Sequence, residues 1–155
     1  MTLQQYFEVD DGSLPEIVVD FHSPNQVRDA FAFLFRLGGK DITAGGAALW
    51  NREEEKETEF RTPDDFELVF SGAADPFHLV LRGLESDGVI LPDLGVFVDP
   101  HSMVLDYRMG AEWGDSKVAS FIAMLRELVR LGGTITVPWW GAEGEQAFRE
   151  AITNI

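Results

Sequence analysis

Hydrophobic and polar residues alternate with a period of two over residues 14–21, which is the pattern of a half-buried strand. The period then changes to that of a helix. Ser23 and Pro24 form an N-cap and first-turn pair, and a broad apolar stripe continues to about residue 37, where two glycines follow. The chain is therefore predicted to begin with a strand, which an amphipathic helix follows.

Four short segments between residues 65 and 108 return to the period of two, with turn residues between them. Because these turns are too short for crossovers, they favour an antiparallel sheet of about four to six strands. The positions that define the predicted strands are Phe66, Leu68 and Phe70; Phe77, Leu79 and Leu81; residues 89–98, interrupted by Pro92; and Met103, Leu105 and Tyr107.

A second amphipathic helix is predicted from Asp115, its N-cap, to about residue 131, before another glycine pair. A short strand over residues 134–137 and a final helix over residues 143–153 complete the pattern. The predicted fold class is α+β: a mainly antiparallel sheet packed by two or three helices. A chain of this length fits a single domain over residues 1–155.

The segment 47–61 is the most polar part of the chain and admits two interpretations. A helix would place like charges four residues apart, which is unfavourable. A single strand would instead put Trp50 and Phe60 on one face and a row of carboxylates on the other. We favour the strand, along which this acidic row would extend for about 20 Å. Its members are Glu53, Glu55, Glu57 and Glu59, with Asp64 and Asp65 just beyond.

The net charge of the chain, −15 from 27 acidic and 12 basic residues, gives the acidic row a possible function. Negative potential disfavours nucleic acid and anionic membranes as ligands and favours a basic protein. The acidic row is therefore predicted to face a partner rich in Lys and Arg. The same charges would also protect an exposed edge strand from pairing with other chains, and the sequence leaves both interpretations open.

Three tryptophans in predicted loops are further candidates for contact with a partner. Trp113 lies in a glycine-rich loop before a helix, and Trp139 and Trp140 follow Pro138 in another loop. Since Trp is enriched in binding hot spots, we predict that these rings contact the partner. The alternative is that they cap the hydrophobic core.

The sequence contains no complete catalytic, nucleotide-binding or metal-binding motif, so we expect no cofactor and no metal. Each histidine has an acidic neighbour, which leaves a small hydrolase as an alternative if two histidines share a pocket. The pairs are Asp20 and His22, Asp75 and His78, and Asp99 and His101. Cysteine is absent, residues 1–11 do not match a secretory leader, and no apolar run is long enough for a membrane span. We therefore expect a cytoplasmic protein.

The segment LDYRMGAEWG at residues 105–114 runs into the helix predicted at Ser116. This segment, in an acidic domain without cysteine, resembles bacterial immunity proteins that neutralise polymorphic or contact-dependent toxins. The resemblance implies a cytoplasmic inhibitor that binds a cognate toxin domain, commonly a basic nuclease, and blocks its active site. It assigns no binding residue, because such families diverge at the partner surface. A secretion chaperone or adaptor that binds its partner as a dimer is a further alternative, and the oligomeric state is left open.

Overall fold

The structure is a computed structural model that describes residues 3–153. It contains five helices, ten strands and two single-turn 3-10 helices, Pro63–Asp65 and Pro138–Trp140. In chain order the helices and strands are α1 (Gln5–Glu8), β1 (Glu16–Asp20), α2 (Pro24–Arg36), β2 (Lys40–Asp41), β3 (Ala48–Asn51), β4 (Lys56–Glu59), α3 (Phe66–Phe70), β5 (Phe77–Arg82), β6 (Glu85–Ser86), β7 (Val89–Ile90), β8 (Leu94–Val98), β9 (Ser102–Tyr107), α4 (Asp115–Arg130), β10 (Thr134–Thr136) and α5 (Gly141–Thr153).

Six strands form the main sheet, in the order β10-β1-β9-β8-β5-β2, and every neighbouring pair is antiparallel. Two small hairpins, β3–β4 and β6–β7, stand outside it. The predicted α+β class with a mainly antiparallel sheet is confirmed. The three longer helices correspond to those predicted, and α1 and α3 are short additions.

Side chains alternate between the two faces of the main sheet, as a strand with one buried face requires. In β5, Phe77, Leu79 and Leu81 are buried, whereas His78 and Arg82 on the other face are exposed. The buried positions of the sheet join the apolar stripes of α2 and α4 in one core cluster. The opposite face remains open to solvent at positions such as His78.

An aromatic cluster joins α1 to the later part of the chain. The ring of Phe7 lies 4.8 Å from Tyr107, 4.9 Å from Trp113, 5.5 Å from Trp140 and 5.9 Å from Phe121, measured between ring centroids. Such ring pairs add stabilisation beyond the apolar area that they bury. Because α1 precedes β1, the expectation that a strand comes first is wrong. The polar start of the chain gave no helical pattern that would have predicted α1.

The predicted strand at Phe66, Leu68 and Phe70 is also wrong, because these residues form α3. Asp65 accepts hydrogen bonds from the backbone nitrogens of Arg61 and Thr62, and Pro63 begins a helical turn there. This N-terminal capping chemistry starts a helix. Phe66 and Val69 are the buried residues of α3, and their spacing of three is that of a helix.

Three boundaries differ slightly from prediction. Gly114 is the N-cap of α4, and Asp115 is its first residue, where a negative charge favours the helix N-terminus. The predicted strand over residues 89–98 divides into β7 and β8. The final helix, α5, begins at Gly141. Within residues 3–153, no helix combines the length and the hydropathy needed to cross a membrane.

Candidate partner-binding surface

The segment 47–61 does not form the single strand predicted, since β3 and β4 pair as an antiparallel hairpin. Residues 52–55 make the turn. The side-chain oxygen of Asn51 accepts hydrogen bonds from the backbone nitrogens of Glu53 and Glu54, at 3.0 Å each. An Asn side chain bonded to the following backbone in this way stabilises a reversal of the chain. The continuous acidic row of about 20 Å is therefore wrong.

The hairpin nevertheless collects the four predicted glutamates. Glu53 and Glu55 lie in the turn and Glu57 and Glu59 in β4, and all four are exposed. Among residues 3–153, no basic side chain forms an ion pair with any of them. Two nearby cations are engaged elsewhere: Lys56 pairs with Glu54 at 3.2 Å, and Arg52 pairs with Asp75. The negative charge of the four glutamates is thus not compensated locally.

Trp50 was missed as a candidate and belongs to the same surface. It pairs directly with Glu57 in the hairpin register, and residues opposite each other in an antiparallel pair share a face. Trp50 is 44% exposed. The single-strand prediction had placed this ring and the glutamates on opposite faces. Asn51 followed by polar residues was the turn signal that could have corrected it. We call Trp50, Glu53, Glu55, Glu57 and Glu59 the acidic hairpin.

The two predicted aspartates beyond the hairpin differ in their roles. Asp64 is exposed. Asp65 is half-buried, and its carboxylate accepts backbone hydrogen bonds from Arg61 at 2.7 Å and from Thr62 at 3.3 Å. Asp65 therefore stabilises the turn before α3, whereas Asp64 offers its charge to solvent.

The three predicted contact tryptophans have very different environments. Trp113 is 0% exposed, and its indole nitrogen donates to the backbone oxygen of Arg108 at 2.9 Å. The expected exposure of Trp113 is therefore wrong, because the ring packs into the aromatic cluster around Phe7. Trp140 is 8% exposed and Trp139 is 54% exposed. The core-capping alternative holds for the first two rings, and Trp139 alone of the three is largely accessible.

Trp139 and Trp140 line a cleft of about 270 Å³ together with residues of α1 and of the segment that follows it. Tyr6 contributes a third aromatic ring, and Asp11 is the only charged residue of the lining within the described part of the chain. We call this the aromatic cleft. It shares no residue with the acidic hairpin.

His78 has a different acidic partner from the one predicted. His78 lies 2.8 Å from Asp106, measured from Nε2 to Oδ2, and not against Asp75, which pairs with Arg52. The carboxylate of Asp106 crosses Gly95 on the intervening strand: a Cβ at Gly95 would lie 2.2 Å from either carboxylate oxygen. Only glycine leaves room for this pair.

The other two histidines lie at neighbouring strand ends, where the backbone nitrogen of Phe21 donates to the backbone oxygen of His101 at 2.9 Å. Asp99 accepts backbone hydrogen bonds from His101 and Ser102, at 2.7 Å and 2.8 Å, so it shapes the β8–β9 turn. No group of three or more His, Asp and Glu side chains within residues 3–153 is arranged to hold a metal ion.

The described surface thus combines uncompensated carboxylates with two accessible tryptophans, in two separate places. Carboxylates attract a basic surface over a distance, and a partly exposed Trp supplies apolar area on contact. No protein-family model, curated protein or solved structure matches the chain, so these geometric features carry the functional argument.

Proposed function

We propose that the protein is an immunity-type inhibitor that binds and neutralises a cognate basic toxin domain in the cytoplasm. The acidic hairpin is the observation that carries the proposal. It presents four glutamates that have no ion-pair partner among residues 3–153, together with the exposed ring of Trp50. The resemblance of residues 105–114 to immunity proteins supports the class, and the absence of cysteine suits a reducing compartment.

Both the local charge of the hairpin region and the net charge of the whole chain support a basic partner. The segment from Asn51 to Glu67 holds eight carboxylates and three basic side chains, and the whole chain carries −15. A concentrated negative region on a negative molecule accelerates the approach of a basic protein and repels acidic ones. Trp50 would then be covered on docking and would slow dissociation, as aromatic anchors at the centre of interfaces do.

The proposal is tested by reversing charge on β4. We expect the Glu57→Lys/Glu59→Lys variant to capture a basic protein from native cell lysate about tenfold more slowly than the wild type at low salt, with a smaller difference at high salt. The captured protein, identified by mass spectrometry, should arrest growth when expressed alone and should not do so when this protein is co-expressed.

The control is Glu143→Lys/Glu150→Lys, which makes the same change in net charge at two exposed positions of α5. If both variants slow capture equally, the binding site cannot be assigned to the acidic hairpin. A captured protein without toxicity would contradict the immunity function.

Edge protection, the competing explanation of the glutamates, predicts a different result. Among residues 3–153, the outer edge of β4 has no partner strand, whereas β3 is bonded on its other edge to residues 73–75 through an Asn51–Ala74 bridge. If Glu57 and Glu59 serve only to prevent pairing with other chains, substituting both with alanine would cause self-association with no loss of capture. Light scattering beside the capture assay separates the two explanations.

A further inference from the structure

The aromatic cleft lies between α1 with the segment that follows it and the 3-10 turn Pro138–Trp140. Trp139 and Trp140 form one side, and Trp139 is 54% exposed, so its ring is accessible. The volume of about 270 Å³ is below the range of roughly 300–1,000 Å³ that is typical of small-molecule sites. The cleft is therefore suited to a single long side chain.

The inner wall of the cleft is held in place by a chain of contacts. The ring of Tyr6 stacks on Trp140, with centroids 4.6 Å apart and planes 7° from parallel. The indole nitrogen of Trp140 donates to the hydroxyl of Tyr107 at 3.0 Å, and this hydroxyl donates to the backbone oxygen of Tyr6 at 2.7 Å. A wall fixed before binding loses little entropy when a ligand enters.

The acidic side of the cleft is also ordered. Asp11 Oδ1 accepts hydrogen bonds from the hydroxyl of Ser13 at 2.5 Å and from its backbone nitrogen at 2.9 Å. These bonds lower the pKa of Asp11, so the carboxylate is ionised at neutral pH. Within residues 3–153, no group donates to Oδ2. One carboxylate oxygen is thus available to a cation.

The segment that carries Asp11 is tied down at both ends. The backbone nitrogen of Gly110 donates to the backbone oxygen of Phe7 at 2.8 Å. The backbone nitrogen of Tyr107 donates to the backbone oxygen of Pro15 at 3.2 Å. The two ends of this segment are therefore held against β9 and the residues just after it.

We infer that the aromatic cleft is a receptor site for one arginine side chain of the protein partner. A guanidinium stacks on aromatic rings while its N–H groups bind a carboxylate. The cleft offers both kinds of contact, and none of residues 3–153 that line it is basic. This inference deepens the proposed function and rests on it for the nature of the partner. It uses no residue of the acidic hairpin.

The test is a titration of the ¹⁵N-labelled full chain with N-acetyl-arginine amide, followed by NMR. We expect saturable shifts of the Trp139 indole N–H and of the backbone N–H groups of Gly12 and Ser13 at about millimolar concentration. N-acetyl-citrulline amide has nearly the same shape without the charge, and we expect it to bind at least about tenfold more weakly.

Two variants locate the binding. We expect Trp139→Ala and Asp11→Asn each to weaken the arginine titration by about fivefold or more. The control for Trp139→Ala is Ile90→Ala, which truncates a side chain that is 60% exposed. The control for Asp11→Asn is Asp87→Asn, because Asn, like Asp, tolerates the left-handed backbone conformation of residue 87. Both controls should titrate like the wild type.

The inference is overturned if the arginine derivative produces no saturable shift at Trp139, if the citrulline derivative binds equally well, or if both cleft variants bind like the wild type. The titration contains no toxin, so its failure would leave the acidic hairpin untouched. Conversely, failure of the capture experiment would not alter the titration.

Discussion

At the scale of single residues, Asp41 connects the edge strand β2 to the loop that follows it. Its carboxylate accepts hydrogen bonds from the hydroxyl of Thr43 at 2.6 Å and from the backbone nitrogens of Thr43 and Ala47, at 2.9 Å each. Burial acts to raise the pKa of Asp41, but the hydrogen bonds outweigh it and hold the pKa below its ordinary value.

The direction of this pKa change fixes the pH dependence of stability. Because the folded pKa lies below the unfolded one, ionised Asp41 stabilises the fold fully above about pH 4. This contribution is lost as the pH falls through the folded pKa.

We predict that Asp41→Asn lowers the free energy of unfolding by about 1–3 kcal/mol at neutral pH, since the two backbone donors and the hydroxyl lose a charged acceptor. The difference from the wild type should shrink at about pH 3. Urea denaturation at both pH values measures it. Asp29→Asn, at a side chain that is 60% exposed, is the control. An equal loss at both pH values would contradict the role given to the ionised carboxylate.

Exposure of individual side chains was the least predictable property at this scale. Trp113 and Trp139 both lie in loops beside Gly or Pro, and the sequence gives them equivalent surroundings. They differ because α1 brings Phe7 onto Trp113, whereas the Trp139 ring lies at the rim of the aromatic cleft. Burial of a loop residue depends on distant parts of the chain, which local patterns do not report.

At the scale of elements, the turn of the acidic hairpin contains an unusual conformation. Glu55 has φ of +49°, in the left-handed region that side chains with a Cβ disfavour. Its carboxylate lacks an ion pair within residues 3–153, so that no local charge contact offsets the cost.

We predict that Glu55→Gly raises the free energy of unfolding by about 0.5–1 kcal/mol, because relief of the left-handed strain exceeds the added entropy of the unfolded chain. Thermal or urea denaturation measures the change. Glu54→Gly, one residue earlier in the same turn without a positive φ, should be neutral or destabilising. A stabilising effect of similar size at both positions would show that the backbone angle is not the cause.

Length and regularity determined which elements could be predicted. The helices α2 and α4 and the strands β5 and β9 repeat their period over at least six residues, so helical and extended patterns are easily separated. Segment α3 has only five residues, and there Phe66, Leu68 and Phe70 mimic alternation. The prediction of a single strand over residues 47–61 failed for a different reason. A period of two can continue through a reversal of the chain, so the period does not reveal the turn between β3 and β4.

At the scale of the whole molecule, a net charge of −15 opposes compaction through self-repulsion. The ion pairs of residues 3–153 offset this little, because their side chains are mostly exposed to solvent. Composition predicts a basic partner, which stays a prediction, and composition could not say where on the surface the charge collects.

We predict that added sodium chloride stabilises the fold. Raising ionic strength from about 0.01 M to about 0.15 M shortens the screening length from about 30 Å to about 8 Å, which should raise the Tm by about 2–5 °C. Differential scanning calorimetry measures the change. Glu57→Lys/Glu59→Lys makes the net charge four units less negative and should show a smaller rise. A decrease in Tm with salt would mean that attractive pairs outweigh the repulsion.

The aromatic cluster around Phe7 also bears on the order in which the fold forms. Gln4 and Tyr6 bond to Trp113 and Tyr107, 109 and 101 positions later in the chain. During synthesis on the ribosome, α1 therefore emerges long before any of the rings that enclose it. This half of the core closes late, and until then Phe7 is an exposed apolar side chain that a nascent-chain chaperone could bind.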